Sequence, residues 1–115
     1  MNEMQKERFA EALKRLSGDE DTLELLSSMV AEDAPVLMES MRKQLAENDL
    51  RSYAKSAHAL KGLLSSFETG HPVDEIQSTI DAAREGDING TRQMHENVGK
   101  SLQIFVDDVA AISRP

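Results

Sequence analysis

The sequence predicts an all-α fold, an antiparallel four-helix bundle with an additional short N-terminal helix, and three features of the chain lead there. Apolar residues recur at steps of three and four almost from end to end. Strand-like alternation with turn pairs is absent. The breaks between periodic stretches are short, and short connections place consecutive helices side by side and antiparallel. A length of 115 residues fits a single domain, 1–115, able to bury a core without disulfides. With aromatic residues at 3%, Leu, Ile, Val, Met and Ala must fill that core.

The first short helix is marked by Phe9, Ala12, Leu13 and Leu16 and stops at Ser17-Gly18, glycine being the usual terminator. Asp19, Glu20 and Asp21 then favour a new N-terminus, where carboxylates complement the helix dipole. The second helix carries Leu23, Leu26, Val30, Ala34, Leu37, Met41 and Leu45 as one stripe. Pro35 inside it removes a backbone hydrogen bond and predicts a kink or break near Glu32 to Ala34. Asn48-Asp49 reads as the next turn, with Asp49 as N-cap.

A third helix runs from about Leu50 to Phe67, with Leu50, Tyr53, Ala54, Ala57, Leu60, Leu64 and Phe67 on one face. Thr69-Gly70-His71-Pro72 ends it and begins a fourth, since glycine suits the position past a helix and proline its first turn. The fourth buries Val73, Ile76, Ile80 and Ala83 and stops at Glu85-Gly86. Asp87 repeats the N-cap device, and the fifth helix places Val98, Leu102, Phe105, Val109 and Ile112 at the alternating steps of bundle packing.

A net charge of −8 argues against nucleic acid or an anionic membrane surface as partner, except through a local basic patch. Without cysteine there is no disulfide, thiol nucleophile or zinc–thiolate site. No apolar run approaches the roughly 20 residues of a membrane span, and the opening Met-Asn-Glu-Met-Gln-Lys-Glu does not read as a signal peptide, so a cytoplasmic location is expected. A glycine-rich phosphate loop is also missing, so neither a nucleotide site nor autonomous kinase activity is expected.

The local basic patch lies on the third helix. At about 100° per residue, His58 falls clear of the apolar face, at its boundary or on the surface. Arg51, Lys55, Gly62 and Ser65 share that side, with Lys61 nearer the core edge. Most surface histidines carry no chemistry, but a helix-interior glycine costs about 0.8–1 kcal/mol relative to alanine. Gly62, one turn from His58, therefore needs a reason, and close approach of another macromolecule is one. The other histidines offer less. His71 precedes Pro72 in a turn, and the Glu68-x-x-His71 spacing cannot project both side chains from one helix. His95 lies near the fifth helix's apolar stripe, as a boundary residue would, and His95-Glu96 lacks the second histidine of a zinc motif.

His58-Ala59-Leu60-Lys61-Gly62 resembles the core motif of the histidine-containing phosphotransfer (HPt) domains of two-component phosphorelays. The likeness extends to Leu16-Ser17-Gly18-Asp19-Glu20, Glu32-Asp33-Ala34-Pro35, Glu47-Asn48-Asp49-Leu50 and Arg84-Glu85-Gly86-Asp87 at matching spacing. What the resemblance implies is a phosphohistidine intermediate without kinase activity of its own: His58 takes a phosphoryl group from an aspartyl phosphate of a receiver domain and hands it to another receiver aspartate. Histidine suits this because an ordinary imidazole, with a pKa of about 6.5, is largely neutral and nucleophilic near pH 7.

By the same resemblance Lys61 neutralises charge on the phosphoryl oxygens, with Lys55 or Arg51 as a weaker second contributor. Gly62 gives the receiver clearance, and Ser65 hydrogen-bonds a phosphoryl oxygen or is merely solvated. Arg51, Lys55, Leu63 and Ser65 are the expected partner-contact residues. Implied partners are response-regulator receivers or a hybrid sensor histidine kinase. The chain is expected to be a monomer with no cofactor of its own, the Mg2+ coming with the receiver. Two departures stand out: Leu63 and Leu64 follow the motif glycine where small residues are common, and Glu68 occupies a position often held by glycine. Leu63 then either packs on a neighbouring helix or meets the partner, and the exit of the third helix is longer or differently bent. The alternative function is a helical adaptor that binds a receiver or other regulator without accepting phosphate; a purely structural bundle leaves Gly62 unexplained.

Overall fold

The computed structural model describes residues 1–114, and among them regular structure is helical throughout, with no strand. The elements are α1 (Glu3–Arg8), α2 (Ala10–Arg15), α3 (Glu20–Ala46), α4 (Leu50–Leu64), a 3-10 turn (Val73–Glu75) that runs into α5 (Ile76–Arg84), and α6 (Ile88–Ala110). Three aspartates start the long helices as the sequence predicts: Asp19, Asp49 and Asp87 accept from the backbone N–H of Thr22, Ser52 and Gly90. Gly18 and Gly86 take φ values of +80° and +74° just past α2 and α5, the left-handed conformation in which glycine escapes the Cβ penalty.

Helix α3 packs against α4 and α6, and α5 packs against the same two, so the four close a ring around one core. At about 1.5 Å per residue, the 27 residues of α3 extend roughly 40 Å and span the 42 Å long axis of the molecule. The core holds Leu23, Val30, Tyr53, Leu60, Leu64, Ile76, Ile80, Val98, Leu102 and Val109, each from a stripe legible in the sequence. Leu26 and Leu37 are only half-buried at its margin. Every described helix is too short or too polar to cross a membrane.

Three expectations change. α3 runs unbroken through Pro35, so of the kink or break expected there the break does not occur. Val30 and Ala34 before the proline and Met41 and Leu45 after it are all buried in one core, and that packing outweighs the cost of a helix-interior proline, about 3 kcal/mol. The single N-terminal helix is two: α1, which has no apolar stripe to announce it, is held by a capping box in which Asn2 and Gln5 bond each other's backbone. Phe9 separates α1 from α2 and drops into the core, its ring 5.8 Å from Phe67 and 6.3 Å from Phe105. Finally, α4 ends at Leu64 rather than Phe67; Ser65 to Phe67 form a turn that still buries Phe67.

Candidate functional site

Helix α4 is held in place by its inner face. Tyr53 is fully buried, and its hydroxyl lies 2.8 Å from Nδ1 of His95 on α6. Burial pushes the Tyr53 phenol up to about 12 and pushes the half-buried His95 imidazole down. Both groups are therefore neutral near pH 7, and the imidazole tautomer sets which of them donates. Ala57, Leu60 and Leu64 complete the buried face.

With that face fixed, the opposite one follows from helix geometry. Arg51, Lys55, His58 and Gly62 succeed one another at steps of four, three and four and are all exposed. His58 is a surface side chain on a rigid helix. A Cβ built on Gly62 meets nothing within 4 Å, so no neighbour inside the molecule demands a glycine there. The residue before it behaves differently: Lys61 is half-buried and its Nζ donates to Oε1 of Gln77 on α5, at 2.7 Å. Gln77 Nε2 in turn donates to Asp81 Oδ1, at 2.8 Å. The Lys61 ammonium is thus tethered toward the α4–α5 groove with two of its three N–H groups left over. Residues three apart on a helix have Cβ atoms about 5–6 Å apart, so Lys61 and His58 leave α4 as neighbours.

Ser65 is exposed, but its hydroxyl donates to the Gly62 carbonyl at 2.8 Å. Its single proton is therefore spent on the end of α4 and is not aimed at His58. Leu63 is half-buried and packs against the core with part of its side chain. Glu68 accepts from the Gly70 N–H at 2.9 Å and shapes the turn after α4. His71 pairs with Glu75 at 2.7 Å on the surface, and among the described residues no three His, Asp or Glu side chains are grouped to hold a metal ion.

Gln77, Asp81 and Arg84 escaped sequence reasoning. The first two stand at i, i+4 on the polar side of α5, a spacing shared by many solvated pairs. Only the packing of α5 on α4 gives Gln77 its role. No family model, no curated protein and no solved structure matches the chain.

Proposed function

We propose that the chain is a histidine phosphotransfer domain: an antiparallel four-helix bundle of α3 to α6 whose His58 carries a phosphoryl group between receiver-domain aspartates in the cytoplasm. In the accepting step a P–N bond forms at His58 Nε2 while the P–O bond to the receiver aspartate breaks, and the carboxylate leaves with the bonding electrons. The second transfer reverses these roles on another receiver. The reaction asks little of the protein beyond positioning and charge neutralisation. The tethered Lys61 ammonium meets the second need, and a rigid helix held by Tyr53 meets the first. Receivers, including one within a hybrid sensor kinase, supply the phosphate and the Mg2+.

One observation carries the reading: an exposed glycine inside a helix, with open space where its Cβ would sit, one turn from an exposed histidine. Within the folded chain that glycine has only a cost; against a docked receiver it has a use. Incubation with a phosphorylated receiver should move label to the wild-type chain as an acid-labile, base-stable phosphoramidate, and His58→Gln should abolish it. A chain that binds a receiver yet stays unlabelled with every receiver tried is an adaptor instead.

A further inference from the structure

Between α4 and α5, on the N-terminal side of His58, lies a cavity of about 380 Å3 lined by Arg51, Ala54, Lys55, Ala83, Arg84 and Gly86. We infer that Arg51, Lys55 and Arg84 receive an acidic segment of the partner protein, a run of Asp or Glu side chains beside the aspartate that exchanges its phosphoryl group with His58. This rests on the phosphotransfer reading and adds to it where the partner is gripped and by what chemistry.

The three cations are poorly placed for the stability of the free chain. Arg51 sits in the first turn of α4, where the helix dipole repels a positive charge. Lys55 follows at i+4, a like-charge spacing. Arg84 reaches the same cavity from the last turn of α5, the one position of the three that its own helix favours. None of them forms an ion pair among the described residues, whereas Arg8, Arg42 and Lys6 do. Of the acids near them in sequence, Asp49 and Asp87 are engaged as N-caps and Asp81 accepts from Gln77; hydrogen bonds from Ser52 hold the Asp49 carboxyl below the usual range, with smaller contributions from Lys55 and Arg51.

In a chain of net charge −8, three cations thus line one small cavity, and no carboxylate lines it with them. The alanine and glycine lining keeps it open to a side chain from outside. Helical rise sets its reach: Lys55 and Arg51 lie about 4.5 and 10 Å from His58 along the axis of α4. A carboxylate seated there lies near enough to His58 to belong to the docked partner. The Lys61 tether, on the other side of His58, leaves the two roles separate: one cation for the phosphoryl group, three for the partner's surface.

The test compares an R51E/K55E/R84E variant with a K14E/K43E/K100E variant of the same net charge, whose three exposed lysines lie elsewhere. Both should fold by circular dichroism, since all six substituted side chains are exposed. Binding of the Mg2+-loaded receiver should weaken at least ten-fold in the first variant and lose most of its salt dependence, while the second binds as wild type. In transfer assays the loss should fall on the half-saturating receiver concentration more than on the rate at saturation. Equal binding by wild type and R51E/K55E/R84E with undiminished labelling of His58 overturns the docking site and leaves phosphotransfer standing. Receiver binding that depends on the three cations without any labelling of His58 sinks phosphotransfer and keeps the docking site. Cation-dependent binding of single-stranded RNA but of no receiver overturns the inference.

Discussion

Replacing Gly62 separates stability from function in opposite directions. The residue is exposed within α4, and an added Cβ meets nothing within 4 Å. Gly62→Ala therefore removes backbone entropy from the unfolded chain without a clash in the folded one. An interior position is worth about 0.8–1 kcal/mol. Gly62 lies two residues from the end of α4, so about 0.5–1 kcal/mol is the fitting range. Unfolding entropy of about 2.1 cal/mol/K per residue, over 115 residues, converts that into a rise of roughly 2–4 °C in Tm. The bond from Ser65 to the Gly62 carbonyl survives, because it uses only the backbone of residue 62. Thermal denaturation followed at 222 nm gives the first half of the prediction. The second half is phosphoryl transfer at sub-saturating receiver, which should slow a few-fold in Gly62→Ala and at least ten-fold in Gly62→Gln. A lower Tm for Gly62→Ala would mean that the space around position 62 is not open. A faster-than-expected Gly62→Gln, matching wild type in transfer, would refute clearance as the reason for the glycine.

Lys61→Ala should slow transfer about ten-fold or more, equivalent to roughly 1.4 kcal/mol of transition-state stabilisation, with stability changed by no more than about 0.5 kcal/mol because the side chain is partly exposed. Gln77→Leu should produce a smaller loss in the wild-type background and none in Lys61→Ala; a full loss in both backgrounds would show that Gln77 acts on its own rather than by holding the ammonium. Stability should also depend on pH through His95, whose imidazole burial keeps neutral in the fold. The unfolded chain, with an ordinary pKa of about 6.5, then binds a proton that the native one does not. Stability is accordingly full above that value and declines as pH falls below it toward the lowered folded value. Urea denaturation between pH 8 and 5 should show this decline in wild type and a flatter profile in His95→Gln, and parallel profiles would dismiss the mechanism. Tyr53→Phe should cost about 1 kcal/mol by leaving the His95 Nδ1 without its hydrogen-bond partner.

Most of what positions the site was legible because helical stripes and caps are local signals. Asp19, Asp49 and Asp87 each announce a helix start, and the inward row Tyr53, Ala57, Leu60 and Leu64 forces His58 outward by periodicity alone. The misses have one physical origin, the contest between local propensity and shared packing. Pro35 signals a break only while its neighbours are considered singly; a core that takes residues from both sides of it restores the helix. α1 has no buried residue, so no stripe could reveal it. Ser65 points to the phosphoryl group only until its nearest acceptor, the carbonyl at i−3, is counted.

The site's electrostatics were the least legible part, and the reason is geometric. Lys61 faces neither the row of Arg51, Lys55 and His58 nor the buried face; it leans over the edge into the α4–α5 groove, where Gln77 meets it from sixteen residues away. Arg84 comes from the same neighbouring helix, one α5 turn and three residues beyond Gln77, and opens onto the other end of the groove. On the phosphotransfer reading, α5 furnishes a neutral amide where the lysine must keep its charge free and a cation where more charge is wanted. Had the residue at 77 been a carboxylate, it would hold the ammonium in an ion pair and compete with any phosphoryl group for it. Gln77→Glu is the sharpest probe of that division: it retains the reach and the acceptor oxygen, so the fold should be unchanged, while transfer to His58 should fall toward the level of Lys61→Ala. Transfer at the wild-type rate in Gln77→Glu would show that the Lys61 charge plays no part in the reaction.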